Sequence, residues 1–241
     1  MRSLILPILL IAATPAVAAP VPTVIAQAVA DPARPAAQRE TDAVRMPAET
    51  LAFSGVKPGM AVGEFYPGSG YYTHMLSRIV GPKGHVDAIE NARWSDAKQV
   101  AALSAIPNTS FAALPFGTVK FSRPLDLAWI TQNYHDLKIA KYGVVDTAAF
   151  DREVFAALKP GGAFMIIDHE APKGTDVAGI EKLHRIERAQ VIREVTAAGF
   201  KLAAEGNFLR NPADDHSLSI FDKAIQGQTD QYALKFVKPA R

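Results

Sequence analysis

The sequence predicts an α/β fold with a doubly wound, mostly parallel seven-stranded sheet. Three observations lead to this prediction. Beyond Pro58, short apolar runs alternate with segments of helical periodicity. The glycine turn "YPGSG" at 66–70 stands between the first apolar run and the first amphipathic segment. The last two apolar runs, within 200–210 and 231–239, have only a polar loop between them, so we expect a terminal antiparallel strand pair at the sheet edge.

Five parallel strands are expected before that terminal pair. They are Ala61–Phe65, His85–Glu90, Ser110–Leu114, Leu125–Ile130 and Ala163–Asp168. Between the first two strands, four apolar residues recur at the helical spacing i, i+3, i+4 and i+7: Tyr72, Met75, Leu76 and Ile79. The helix that they predict ends at Gly81. Further helices are expected over about 147–158 and 176–198.

The N-terminal residues predict export. In residues 1–18, Arg2 precedes an apolar run, and Ala16 and Ala18 are small residues at positions −3 and −1 of a signal-peptide cleavage site. The run is shorter than the roughly 20 residues of a membrane span, so an uncleaved anchor is the less favoured alternative. We expect a periplasmic or secreted protein without an integral membrane segment in the mature chain. Residues 19–50 are expected to form an arm, and 51–241 a single domain.

Composition excludes several classes of partner and site. The formal net charge is +2, and the basic residues are scattered, so no nucleic acid is expected as a partner. Cysteine is absent, which excludes disulfides and thiolate metal ligands. A small-molecule substrate is the remaining expectation.

The glycine turn predicts a nucleoside site. Ligands bind a doubly wound sheet beyond the carboxyl ends of its strands, where the strand order reverses. Gly68 and Gly70 allow a ligand to approach the backbone, and Glu90, twenty residues beyond Gly70, can accept hydrogen bonds from ribose hydroxyls. Thr73 stands where a dinucleotide motif has its third glycine, and no triphosphate-binding Gly-Lys-Ser/Thr follows. A tight turn that needs small residues is the structural alternative.

Two His–Asp dipeptides form the second candidate site. His135 and Asp136 follow the fourth strand, and Asp168 and His169 end the fifth. Neighbouring strands lie about 4.8 Å apart, so the four residues are expected on one rim. We assign these four residues to acid–base catalysis or substrate binding. They could also ligate a divalent metal or only tie strand ends together. No metal ligand is assigned, and His184 is expected to be a core residue.

Several segments in this order resemble a known family. "VGEFYPGSGYYT", "VDAIE", "LDLAWI" and "LKPGGAFMIIDH", followed by the terminal strand pair, are similar to class I S-adenosylmethionine-dependent methyltransferases. "NYHD", "LHRIE", "LRNPADDH" and "TDQYALKF" resemble a narrower group of exported, methyltransferase-like bacterial proteins. The resemblance implies the Rossmann-like methyltransferase fold and S-adenosyl-L-methionine as cofactor. It implies that Glu64, Gly68 and Gly70 contact the methionine part and that Glu90 holds the ribose.

Two positions depart from that family's pattern. Tyr66 stands where the motif usually has its first glycine, and "NTSFAALPF" lacks the usual acid for the adenine amine. The resemblance implies that residues near Trp94 and Leu114 flank the adenine. The expected function is methyl transfer to a small molecule by an exported enzyme. The alternatives are a non-enzymatic periplasmic binding protein and an enzyme of different chemistry on the same fold.

Overall fold

A computed structural model describes residues 21–240 and contains one seven-stranded sheet. Its strands are β1 Ala61–Phe65, β2 His85–Asn91, β3 Thr109–Leu114, β4 Leu125–Thr131, β5 Leu158–His169, β6 Lys201–Gly206 and β7 Gln231–Val237. The strand order is β3-β2-β1-β4-β5-β7-β6, and β7 runs antiparallel to both of its neighbours. The predicted fold class is confirmed, including the antiparallel pair at one edge.

Nine α-helices are described within residues 21–240. They are α1 Thr23–Val29, α2 Ala36–Arg39, α3 Asp42–Arg45, α4 Pro47–Ser54, α5 Tyr71–Val80, α6 Ala97–Ser104, α7 Thr147–Ala157, α8 Val177–Leu183 and α9 Arg188–Ala197. Two short 3₁₀ helices are also present: Gly81–Lys83 directly follows α5, and His135–Lys138 comes after β4. None of the described helices is long and apolar enough to cross a membrane.

The sheet separates two apolar cores because successive strand residues point to opposite faces. In β4, Leu127 and Trp129 pack into one core, and Ala128 and Ile130 pack into the other. The four apolar residues predicted for the buried stripe of α5 are all buried. Burial of both sheet faces explains why the parallel strands are continuous apolar runs.

One predicted element is wrong: residues 176–198 do not form a continuous helix. α8 ends at Leu183, the next residue, His184, has a left-handed backbone at φ +53°, and α9 begins at Arg188. Arg185 is fully buried and pairs with Asp214, with Nη1 2.8 Å from Oδ2. This long-range ion pair fixes the break, although the local pattern of apolar residues continues through it.

The short helices before β1 pack on the sheet beside the glycine turn. Ile25 and Ala28 of α1 are buried in the core that also contains α5. The Gln38 side chain donates a hydrogen bond to the backbone oxygen of Ser69 at 2.7 Å. The segment therefore touches the turn from outside. The predicted signal peptide, residues 1–18, lies outside the described residues.

The strand order reverses between β1 and β4, and both strands end in an unusual backbone conformation. Tyr66 follows β1 with φ +54°, and Gln132 follows β4 with φ +61°. Their N–H groups donate to Ile89 and Ile167 of neighbouring strands, each at 2.7 Å. Left-handed conformations are uncommon for residues other than glycine, and they cluster at binding sites. Tyr66 and Gln132 therefore indicate a binding site at this edge of the sheet.

Candidate active site

Glycine is needed at two positions of the turn, Gly68 and Gly70, for different structural reasons. Gly68 has φ +55°, and a Cβ atom built on it would meet nothing within 4 Å. Gly70 has φ +80°, and a Cβ there would lie 2.3 Å from Cδ2 of Leu103, the buried residue of α6. Open space at Gly68 suits the close approach of a ligand. Gly70 is required for packing of the turn against α6.

Glu64 provides a buried carboxyl group beside the turn. Its Oε2 accepts a hydrogen bond from Thr73 Oγ1 at 2.7 Å. Burial, reinforced by the charge of Glu90, raises the pKa of Glu64 to about 8, so this carboxyl is neutral at pH 7. It lines a cavity of about 140 Å³ together with Arg45, Gly68, Tyr71, Gln132 and Asn133, which we name the turn cavity.

Glu90 ties the turn to the helix that follows β2. Its Oε2 accepts hydrogen bonds from the Gly68 N–H and from Gln99 Nε2, both at 3.1 Å. Gln99 Nε2 also donates to the Gly68 carbonyl oxygen at 2.6 Å. The Glu90 carboxylate is thus engaged by the Gly68 N–H and the Gln99 amide in this structure.

Tyr66 takes the place of a glycine because its ring has its own apolar site. The ring centroid lies 4.9 Å from that of Phe116 and 5.7 Å from that of Trp94. The hydroxyl accepts a hydrogen bond from the Gly117 N–H at 3.0 Å. Trp94 in turn stacks edge-on against Tyr142 at 5.0 Å. These four aromatic rings form a wall that runs from the turn to the second candidate site.

Three of the four residues of the predicted rim form one direct network. His135 Nδ1 lies 2.7 Å from Asp168 Oδ1, and His135 Nε2 lies 3.2 Å from Asp136 Oδ1. Burial opposes a charge on the ring, but the two carboxylates outweigh it and raise the pKa of His135 to about 10. The ring is therefore protonated at neutral pH and acts as a donor rather than as a free base.

His169, the fourth residue of the rim, joins this network only through its backbone N–H, which donates to Asp168 Oδ1 at 2.8 Å. Its Nδ1 lies 2.7 Å from Thr229 Oγ1, and its ring centroid is 6.0 Å from that of His135. Burial lowers the pKa of His169 to about 3, so its ring is neutral. A neutral and a charged imidazole thus lie side by side at the ends of β5 and β4.

His184 is buried, as expected, and its ring also borders this site. Its Nδ1 lies 3.4 Å from Asp136 Oδ1, and its ring centroid is 5.4 Å from that of His135. The break after α8 turns the side chain toward the rim. The sequence clue to this position was Arg185 within "LHRIE", because an arginine among apolar residues needs a carboxylate partner when it is buried.

A second cavity, of about 240 Å³, lies over this cluster. We name it the histidine cavity. Its lining includes His135, Tyr142, His169, His184 and Phe221, together with Gln132 and Asn133. The last two residues also line the turn cavity. The two cavities therefore lie on either side of the segment that directly follows β4.

The family model that matches the chain is protein-L-isoaspartate(D-aspartate) O-methyltransferase, over residues 26–113, less than half of the chain. This region contains β1, the glycine turn, α5 and β2. The match therefore covers the glycine turn and ends before Gln132 and Asn133, which complete the turn cavity, and before the residues of the rim.

Two curated relatives carry the name ubiquinone/menaquinone biosynthesis C-methyltransferase UbiE. The protein from Pasteurella multocida is 27% identical over 199 residues, 77% of this chain and 69% of its own length. The protein from Shewanella woodyi is 27% identical over 135 residues, 52% of this chain. That second match spans about half of the relative, 48% of its length.

Among solved structures, a SAM-dependent methyltransferase from Aquifex aeolicus has the same fold, with a TM-score of 0.56 at 16% identity. The match covers 82% of this chain and 98% of that one. Together with the family model and the two relatives, it supports placing the chain in the class I SAM-dependent methyltransferase superfamily.

Proposed function

We propose that this protein is an exported methyltransferase that transfers a methyl group from S-adenosylmethionine to a small molecule bound in the histidine cavity. One observation carries the proposal: Gln132 and Asn133 line both cavities. A methyltransferase needs a donor site and an acceptor site that meet at one point, because most of its rate enhancement comes from positioning the two reactants.

The described residues fit the methionine end of the cofactor. Gly68 leaves open space beside its backbone, and the Glu64 carboxyl faces the turn cavity. Glu90 stands at the end of β2. The turn cavity, about 140 Å³, is smaller than the 300 Å³ or more of ordinary ligand pockets, so the adenosine end requires the Gln99 amide to leave Glu90. When bound, the cofactor supplies an electrophilic methyl group on a sulfonium centre.

The chain's own residues bind and orient the acceptor. Tyr142 and Phe221 provide aromatic surface in the histidine cavity, and Asn133 provides an amide at its boundary with the turn cavity. His135 is charged and His169 is neutral, so the cavity offers both a hydrogen-bond donor and a neutral imidazole. This lining suits a small acceptor that combines an apolar body with a polar group. The names of the two UbiE relatives agree with a small-molecule acceptor.

Ligand analysis provides the first test of the donor site. Calorimetry of the purified protein with S-adenosylmethionine should show saturable binding to one site. Gly68→Val should abolish that binding while the far-ultraviolet circular dichroism stays unchanged. His216→Ala is a suitable control, because the His216 side chain pairs with Asp230 and lines neither cavity. Absence of binding by the folded wild type would overturn the methyltransferase proposal.

Mass spectrometry of molecules that co-purify from the periplasm tests the alternatives. A retained adenosyl compound supports methyl transfer, whereas retention of an unrelated small molecule without turnover favours the binding-protein alternative. A product that lacks a new methyl group would indicate different chemistry on this fold.

Export rests on the leader pattern in residues 1–18. We expect the mature protein to begin at Ala19 and to appear in the periplasmic fraction or the medium. N-terminal sequencing of fractionated cells provides the measurement. A cytoplasmic protein that begins at Met1 would remove export from the proposal and leave the donor and acceptor sites unaffected.

A further inference from the structure

Asp136 has a buried oxygen atom whose surroundings are unusual. Its Oδ2 accepts a hydrogen bond from Asn133 Nδ2 at 2.8 Å. Its Oδ1 is buried, and no described residue donates a well-aligned hydrogen bond to it. Two imidazole nitrogens lie nearby, His135 Nε2 at 3.2 Å and His184 Nδ1 at 3.4 Å. These two contacts are ion-pair distances without hydrogen-bond alignment, so the buried oxygen is only partly satisfied by the described residues.

The three atoms have the spacing of metal ligands. His135, Asp136 and His184 each offer one donor atom, and these atoms all lie within 4.8 Å of one another. Ligands about 2.1 Å from a metal ion lie roughly 3.0–3.4 Å apart in octahedral or tetrahedral geometry. The two distances from Asp136 Oδ1 fall in that range.

The residues around the three candidate ligands also resemble those of a metal site. His135 Nδ1 is held by Asp168 Oδ1 at 2.7 Å, which aims Nε2 at Asp136. Metal-binding histidines usually have a carboxylate or carbonyl group on the second ring nitrogen, where it fixes the ring orientation and increases the basicity of the ligand. His184 directly precedes Arg185, which is held by its buried pair with Asp214.

We propose that His135, Asp136 and His184 bind a divalent transition-metal ion at the floor of the histidine cavity. The ion would replace the proton that His135 Nε2 carries in the metal-free protein, because a histidine ligand must be deprotonated at the nitrogen that binds the metal. Two imidazoles and one carboxylate suit ions such as Fe²⁺ or Zn²⁺ and leave coordination positions open toward the cavity. Asp168 is a positioning residue, because it acts through His135. The site follows from these residues alone and does not depend on the methyl donor.

The open positions indicate the class of acceptor. A small molecule with an oxygen donor on an apolar body could bind the ion through its oxygen while Tyr142 and Phe221 contact its apolar part. A bound cation lowers the pKa of such a hydroxyl group. This identification of the acceptor rests on the proposed function, whereas the metal site itself does not.

Metal titration of the full chain without a polyhistidine tag tests the site directly. The protein is stripped with a chelator, dialysed, and titrated with Co²⁺ and then with Zn²⁺. We expect one equivalent to bind, with a visible Co²⁺ absorption spectrum that Zn²⁺ abolishes. His184→Ala and Asp136→Asn should each weaken Co²⁺ binding at least tenfold, and Asp168→Asn by about 10–100-fold.

The matched control is His216→Ala, which removes a histidine that is paired with a carboxylate elsewhere, His216 Nε2 lying 2.9 Å from Asp230 Oδ2. This variant should bind Co²⁺ like the wild type. A folded wild type that shows no saturable Co²⁺ binding, or an equal loss in the control, overturns the metal site. Because no methyl donor is present, failure here is distinct from failure of the proposed function.

Discussion

Asp168 holds His135 at two points: Oδ1 lies 2.7 Å from the ring nitrogen Nδ1, and Oδ2 accepts the His135 backbone N–H at 2.8 Å. Both side chains are buried, with exposed fractions of 0% and 1%. One carboxylate at the end of β5 therefore fixes both the backbone after β4 and the ring orientation. The rim is rigid because of this doubled contact.

Replacement of Asp168 by asparagine should destabilise the protein strongly. The change removes the nearer of the two carboxylates that pair with the buried His135 ring, and breaking a buried pair costs about 3–5 kcal/mol. Urea unfolding followed by circular dichroism measures the loss. Asp126→Asn is the control, because its pair with Lys159 is partly exposed, and it should cost no more than about 1 kcal/mol. Equal losses in the free energy of unfolding would show that the buried pair contributes no more than the exposed pair.

The two glycines of the turn should respond differently to alanine. At Gly68 the new methyl group enters open space, so we expect loss of S-adenosylmethionine affinity of at least tenfold with a stability cost of about 1 kcal/mol for the positive φ. At Gly70 the methyl group meets Leu103, and stability should fall by roughly 1–3 kcal/mol more. Calorimetric binding and urea unfolding of both variants separate the two effects. The reverse pattern would contradict the assignment of Gly68 to the ligand.

Affinity for S-adenosylmethionine should rise with pH below the pKa of Glu64, which is about 8. The free protein holds this carboxyl protonated, whereas a cationic group beside it favours the carboxylate, so binding releases a proton. Between about pH 5.5 and 7.5 the affinity should increase close to tenfold per pH unit, while an α-amino group remains charged. Calorimetry across this range provides the measurement.

Two groups other than Glu64 that face this region are Glu90, which is tied to the turn, and Arg45, which lines the turn cavity. Glu64→Gln is the matched variant, because its amide oxygen can still accept the hydrogen bond from Thr73. The pH dependence should disappear in this variant. An unchanged slope would assign the titration to another group.

Asp214→Ala should both destabilise the fold and disturb the histidine cavity. It leaves the guanidinium of Arg185 buried without its carboxylate, which costs about 3–5 kcal/mol. Because Arg185 follows His184 directly, we also expect weaker Co²⁺ binding under conditions where the variant remains folded. Glu205→Ala breaks the exposed contact with Arg188 and is the control, expected to change neither quantity. Normal metal affinity in folded Asp214→Ala would show that the pair does not position His184.

Much of the sheet could be predicted because its strands are buried on both faces. β1 has the predicted bounds, Ala61–Phe65, and β2 and β4 each extend one residue beyond their predicted ends. Such strands appear in a sequence as apolar runs between turns, without any knowledge of their neighbours. The rim residues could also be placed, because the carboxyl ends of adjacent parallel strands meet at one edge.

The position of His184 could not be predicted in the same way. The apolar pattern from Val177 to Val195 continues with helical spacing, and the break depends on Arg185 meeting a carboxylate 29 residues further along the chain. Periodicity contains no information about such a partner. The packing role of Gly70 could not be predicted for a similar reason. Its neighbour, Leu103 of α6, lies 33 residues further along the chain and meets it only in the folded structure.

The position of β7 in the sheet has a consequence for the order in which the chain folds. β7 joins β5 to β6, yet its residues, Gln231–Val237, follow every other strand in the chain. Thr229, just before it, holds His169, and Gln231 holds Gln132. A growing chain therefore exposes an unpaired β5 edge and an incomplete cavity until its final segment emerges. Synthesis from the N-terminus thus delays closure of the sheet until β7 has been made.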